Sequence, residues 1–378
     1  MTRRLYFVIN QDPMDGSAHA LYSMRHLGSL SERLPADWAL TLVCPSASAA
    51  GEILAGHHIA QSANVDVRVL PSLRRGSSAF GLHMNAVFHW AAWAFLSSKA
   101  GSDDVVATAS FPRLFEFLAS RFRKKPSRPR LIYEVHQLEC LSRPPDHPKC
   151  VAEFQALSLA DRLLATTGPL EEILRKKLPA IPCFRTGLAV SYRPVPRRKR
   201  NEGTAFKTGY FGSVSPEQGI PWLIENWPRL GLACELHIFG RLRRGETLNL
   251  PPDTKTVFLH PTVPPDEVPN KCRDLDALII PALDQGHRSA IAFTKAYDFL
   301  GLALPIVASD LPTIREVLRN DVRALLFPPG DFDAMKACLA RLSADDALCN
   351  SLHEACVAAA PECSWSSRAG QWWRAATE

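Results

Sequence analysis

At 378 residues the chain exceeds one ordinary hydrophobic core, so two domains of ordinary size are expected. With 46% hydrophobic and 22% charged residues it is globular rather than disordered, and no apolar run is long enough to span a bilayer. The net charge of +6 gathers in RFRKKPSRPR (121–130) and RRKR (197–200), runs that suit solvated loops, phosphate or an anionic surface; lacking stacking aromatics, they do not make a nucleic-acid site.

The opening MTRRLYFVIN reads as a strand, not a signal peptide, which places the protein in the cytoplasm. After the loop QDPMDGSA an amphipathic segment runs from His19 to Leu34, the strand–loop–helix opening of an α/β unit. Further β-rich runs follow at 39–45, 65–71, 104–110, 130–138 and 162–168, with helical candidates at 80–99, 111–123, 148–160 and 169–178. Strands alternating with helices imply a parallel sheet covered on both faces, because parallel strands need long crossovers. The segment 80–100 carries Met84, Phe88, Ala91 and Phe95 on one face and Trp90 and Trp93 on another. It reads either as a buried helix or, with Arg74, Arg75 and the 121–130 run, as a lipid-facing surface. The ten cysteines are scattered without zinc-like spacing, and Cys349, Cys356 and Cys363 recur every seven residues as thiols of one helical face in a reduced compartment.

At PVPRRKRNEGTAFK (194–207) proline, glycine and like charges mark a linker. The pattern then restarts with strands at 207–214, 234–240, 256–260, 277–282, 305–309 and 324–331, helices at 220–230 and near 265–275, and two helical segments to the end. Between two of these strands lies His287–Glu316: a polar turn, a helix with Lys295 and Asp298 on neighbouring turns, a short strand, and a turn ending in Glu316. The amide groups of Ala290 to Phe293, opening that helix beside cations and carboxylates, suit a nucleoside diphosphate.

YEVHQ (133–137), EFQALSLADRLLATTGPLEEIL (153–174), TGLAVSYRP (186–194), GYFGSVSPEQGI (209–220), FTKAYDFLGLALPIVASDLPTIREV (293–317), LLFPPGD (325–331) and the tail SWSSRAGQWW (364–373) form a set. Together they resemble the retaining glycosyltransferase family 4 of the GT-B fold. The resemblance implies two Rossmann-like domains with parallel sheets facing each other across a cleft. The acceptor-side domain would span 1–193, the linker 194–207 and the donor-binding domain 208–363, with a last helix, about 364–378, packing back onto the first domain.

It further implies sugar transfer, with retention and without a metal or other cofactor, from a nucleoside-diphosphate sugar to a saccharide or lipid-linked acceptor; the expected location is the cytoplasm, with peripheral contact at the inner face of the membrane as the option that the 80–100 segment and the basic runs add. His136, Arg288 and Lys295 would be the catalytic groups. Gly16, Gly212, Ser213, Gln218, Arg241, His287, Ser289, Ala290, Ile291, Asp298 and Glu316 would hold the donor, with Lys295 on phosphate and Asp298 on ribose. The chemical reason is that the leaving diphosphate gathers negative charge, which cations and N–H donors offset. The chain departs from the family in two places: Ser213 and Gln218 stand where arginine and lysine are common, and Ala290 replaces the first glutamate of an E-x7-E pair, with Asp298 at the second. Arg288 and Lys295 are the replacement cations, with Arg241 and Arg243 behind them. A non-catalytic relative that binds a nucleotide, glycan or protein partner is the alternative.

Overall fold

Buried parallel strands read as unbroken apolar runs, and the apolar runs of this sequence become strands of two separate parallel sheets. A computed structural model of the protein describes residues 2–60, 62–72, 84–201, 203–242, 255–286 and 289–377. The chain divides into two units, 1–187 with 365–378, and 188–364.

The first unit holds a seven-stranded sheet of β1 (Arg3–Val8), β2 (Trp38–Pro45), β3 (Val65–Leu70), β4 (Val105–Ala109), β5 (Arg130–Val135), β6 (Arg162–Ala165) and β7 (Cys183–Arg185), ordered β3-β2-β1-β4-β5-β6-β7. All its pairings are parallel. Six of these strands are the predicted ones. The seventh is only three residues long, with Phe184 and Arg185 exposed, so it lacks the apolar run that announces a buried strand. Helices α1 (Ala18–Ser31), α2 (Ala50–Gly56), α3 (Met84–Lys99), α4 (Pro112–Phe122), α5 (Pro148–Leu157) and α6 (Gly168–Lys177) accompany the sheet.

Helix α3 is partly buried, through a different stripe from the predicted one. Phe88, Ala92 and Leu96, at four-residue spacing, are fully buried, while Trp90 is 54% exposed. Each large apolar side chain buried this way stabilises the unit by about 1.5–3 kcal/mol. Arg74 and Arg75, expected beside this helix, lie outside the described residues.

The second unit repeats the plan with β8 (Phe206–Phe211), β9 (Cys234–Phe239), β10 (Val257–His260), β11 (Ala277–Ile280), β12 (Ile306–Ser309) and β13 (Leu325–Phe327), ordered β10-β9-β8-β11-β12-β13. Its helices are α7 (Ile220–Asn226), α8 (Val268–Cys272), α9 (Thr294–Leu302), α10 (Pro312–Arg315), α11 (Phe332–Ala344) and α12 (Asp346–Ala359). A last helix, α13 (Trp365–Thr377), belongs to the first unit. Three helices thus follow β13 where two segments were predicted, because Asp345 ends α11 and caps α12 through its side chain. All ten cysteines are free thiols; Cys349 and Cys356 are buried on α12, and Cys363 lies beyond its end. Both sheets are Rossmann-like. In each the strand order reverses beside the first strand, at β1/β4 and β8/β11, and the carboxyl ends there are where such sheets receive ligands. Among the described residues no helix is long and apolar enough to cross a membrane.

The two basic runs are largely consumed inside the units. Arg128 makes paired bonds to Asp161, Arg123 also reaches Asp161, and Arg130 donates to the carbonyls of Ala376 and Thr377. Arg121 stacks on Phe117 at 3.6 Å, and Lys125 donates to the Ser97 carbonyl. In the second run Arg198 forks onto buried Asp276, Arg197 pairs with Asp346, and Arg200 donates to the Ser343 carbonyl. What reads as an exposed linker is therefore fastened to the second unit.

Candidate functional site

Loop 212–219 leaves the end of β8 and crosses to the end of β11. The amide of Gly212 donates to the Phe239 carbonyl (2.9 Å), and that of Val214 to Arg241 (3.0 Å), so the loop continues beside β9. Gly219, at φ +73°, rests on β11's outgoing chain so closely that a Cβ would stand 1.7 Å from the Pro281 carbonyl oxygen. Only glycine meets both demands.

Lys295, in the first turn of α9, lies over this loop. Its Nζ donates to Gln218 Oε1 (3.1 Å) and sits 5.4 Å from the centroid of the Tyr210 ring, whose hydroxyl donates to the Ser213 carbonyl (2.8 Å). A Cβ on Gly212, at φ +134°, would come within 2.7 Å of Lys295 Cε. The fold thus gathers Gly212, Ser213, Gln218 and Lys295 at the carboxyl ends of β8 and β11, with Tyr210 beneath. Tyr210 escaped the sequence reading, although it stands two residues before the loop glycine. Asp298, one turn after Lys295 on the same helix, is half-buried.

The remaining donor-site candidates differ. Helix α9 begins at Thr294, not at Ala290, so Ala290–Phe293 form the turn before it; Phe293 at the N-cap has no side chain able to cap, and the sequence carries no start signal there. Ala290 is buried, and the Ile291 carbonyl accepts from Thr313 Oγ1 (3.0 Å), which ties this turn to α10. Ser289 folds back on Gly286 through both its amide and its hydroxyl. Glu316 is exposed at the end of α10, where its amide donates to Pro312. Arg241 joins the site through its backbone, with its side chain exposed. His287, Arg288 and Arg243 lie outside the described residues. Among those described, no three His, Cys, Asp or Glu side chains are grouped to hold a metal ion.

In the first unit Gly16, at φ +70° and exposed, precedes Ser17, which caps α1. His136 lies just past the end of β5, not inside it; its side chain is 20% exposed and its Nε2 is 2.7 Å from Glu134 Oε1. Glu134 is 1% exposed and also receives Tyr22, Arg368 and Trp372. None of these four was singled out from the sequence. The signal was present, since an acidic residue inside the apolar run RLIYEV requires partners. A cavity of about 700 Å³ opens at this sheet's own switch point, with Asn10, His89, Ser110 and Arg113 among its lining.

Comparison with known proteins agrees with this architecture. Residues 205–345 match the family model described as glycosyl transferases group 1. Sucrose-phosphate synthase from Thermosynechococcus elongatus superposes with a TM-score of 0.74 at 14% identity, over 98% of each chain. HepE from Anabaena in complex with UDP gives 0.68 at 12% identity, over 98% of each chain. The E. coli structure described as trehalose-6-phosphate bound with UDP-2-fluoro glucose gives 0.66 at 12% identity, over 99% of each chain. No curated protein is close enough in sequence to be matched. The chain has the GT-B fold, as its sequence resemblance implies.

Proposed function

We propose that the protein is a glycosyltransferase that moves a sugar from a nucleoside-diphosphate sugar to a saccharide or lipid-linked acceptor on the cytoplasmic side, with retention at the anomeric carbon. The observation that carries this reading is Lys295, laid over Gly212 and bonded to Gln218 at the switch point of a domain that matches glycosyl transferases group 1. Two proteins of the same fold are bound to UDP or a UDP sugar, which supports a nucleotide-sugar donor here. Lys295 and Arg288 neutralise the diphosphate as the bond from the anomeric carbon to its oxygen breaks, so protein cations take the place of a metal. Asp298 accepts the ribose hydroxyls, and His136 acts on the transferred sugar.

Calorimetry with a panel of nucleoside diphosphates, UDP first, tests the donor assignment. A charge-assisted contact is worth about 1.5–3 kcal/mol, so Lys295→Ala is expected to weaken binding on the order of 10–100-fold. Unchanged affinity in both Lys295→Ala and Arg288→Ala removes the phosphate roles. One observation favours a second reading, a nucleotide-binding protein without transferase activity: Lys295 is engaged by the neutral Gln218 in the loop where the family commonly carries cations. Donor binding without transfer or donor hydrolysis, across a broad panel of nucleotide sugars and acceptors, would decide for it.

A further inference from the structure

We propose that Glu134 is the positioning residue of His136, a carboxylate held by the C-terminal helix that fixes which imidazole nitrogen carries the proton and how the ring is turned. The catalytic consequence rests on the sugar role given to His136 above; the fixing of the ring does not.

Four donors converge on this carboxylate. Oε1 accepts from the Tyr22 hydroxyl (2.7 Å), His136 Nε2 (2.7 Å) and Arg368 Nη2 (2.8 Å), and Oε2 accepts from Trp372 Nε1 (2.7 Å). A carboxylate has about four lone-pair sites; here three donors crowd onto Oε1 and one meets Oε2, so both oxygens are engaged. Burial alone would raise its pKa, but the Arg368 charge and the His136 bond more than offset that and hold it well below the usual carboxylate range. An ionised carboxylate only accepts, so Nε2 of His136 must be the donor. In the neutral ring the lone pair is then on Nδ1. That nitrogen can accept a hydrogen bond from a ligand hydroxyl, whereas in the other tautomer it could only donate one.

The surroundings leave the carboxylate little freedom. Arg368 is 2% exposed; its Nη1 meets His26 Nδ1 (2.7 Å) and its Nε donates to the Gly187 carbonyl (3.1 Å). Guanidinium cannot accept, so His26 accepts through Nδ1 and is neutral, as its complete burial also requires. The Tyr22 ring stands edge-on to His136, 4.9 Å away at 89°. Stability alone does not account for such a cluster, because a buried ion pair is often replaceable by apolar residues without loss. The members with access to solvent are His136, at 20% exposure, and the partly exposed Tyr22, against 1% for Glu134 and 2% for Arg368, and of the two only the imidazole can exchange donor for acceptor by changing tautomer. An arrangement that delivers one oriented imidazole to the end of β5 explains the expense of burying the rest.

The test is a histidine-ring nitrogen NMR spectrum of the full chain, with the His136 signals assigned by their loss in His136→Gln. The wild type is expected to show the Nε2–H tautomer. Glu134→Gln should convert it to a mixture and lower sugar transfer about 10–100-fold, by analogy with the loss of carboxylates that orient metal-binding histidines. Because Glu134→Gln leaves Arg368 without its counter-charge, Glu134→Asp serves beside it. It keeps the charge but shortens the reach to Nε2, and the same loss of tautomer is expected. An unchanged His136 spectrum in both variants overturns the inference. A changed spectrum with wild-type transfer in Glu134→Gln and His136→Gln alike would instead overturn the sugar role of His136 while leaving the fixed ring intact.

Discussion

Among the side chains of the first unit that burial displaces from their ordinary ranges, Glu153 and His19 work against each other. Glu153 of α5 is pushed up to about 7, first by burial and then by the nearby Glu139 charge, although the Glu139 amide donates to it (2.8 Å). A carboxyl raised in the folded state contributes stability that is complete below its unfolded value of 4.5 and is lost as pH rises through about 7. His19 is lowered to about 4, chiefly by burial and next by His136, so the unfolded chain binds the extra proton between pH 6.5 and 4 and stability falls as pH falls through that window. The isosteric Glu153→Gln keeps an acceptor for the Glu139 amide and removes the first effect. Its stability advantage over the wild type in urea denaturation is expected to grow between pH 5 and pH 8. A gain on the order of 1–2 kcal/mol at pH 8 is expected, after discounting for solvent around a half-buried group. A difference that stays flat across that range would contradict the assignment. At this scale the sequence pointed to candidate residues but not to their partners. His136 was legible in YEVHQ, whereas the residues that hold Glu134 come from positions 22, 368 and 372, which only the folded chain assembles.

Elements were legible where burial made their residues monotonous. Among the described residues twelve of the thirteen strands announce themselves as apolar runs, even β10, whose Phe258 and Leu259 are exposed, and β7 is lost because three residues, one of them Arg185, make no such run. The beginning of α9 was misplaced for lack of a capping residue, and the seating of loop 212–219 is visible only as distances. That seating makes a prediction about a single methyl group. Gly219→Ala combines a left-handed backbone with a Cβ 1.7 Å from the Pro281 carbonyl oxygen, and backbone cannot swing aside as a side-chain tip can. Gly286→Ala has the same backbone demand, at φ +63°, with nothing within 4 Å. The second substitution is expected to cost about 1 kcal/mol from handedness alone. The first should cost about 2 kcal/mol more and also weaken nucleotide binding, because the loop that carries Gln218 must lift from β11. Thermal unfolding with calorimetry on both variants separates the two costs. Equal losses would mean that the contact with Pro281 does not seat the loop.

For the whole molecule the informative feature is that the first unit is made from both ends of the chain and the second from one uninterrupted stretch. The C-terminal helix supplies Trp372, fully buried in the core beneath the first sheet, and Arg368, the counter-charge of Glu134. Arg130 and Arg162 reach across to its last carbonyls, and Trp38 packs edge-on against Trp373 at 4.8 Å. Removing everything after Ser364 therefore breaks a buried ion pair, at about 3–5 kcal/mol, and deletes a core tryptophan, at about 3–5 kcal/mol more. Domains are stable by only about 5–15 kcal/mol in total, so the sum is enough to unfold the first unit. The second keeps its sheet, its helices and the arginine bonds of 197–200 intact within 188–364. A chain ending at Ser364 is thus expected to lose one of two cooperative unfolding transitions, and the separate fragment 188–364 to retain the other. If both transitions persist in the truncated chain, α13 is an accessory of the first unit and Glu134 must find its charge partner elsewhere. Persistence would also loosen His136, since the carboxylate that turns its ring would no longer be anchored by Arg368 and Trp372.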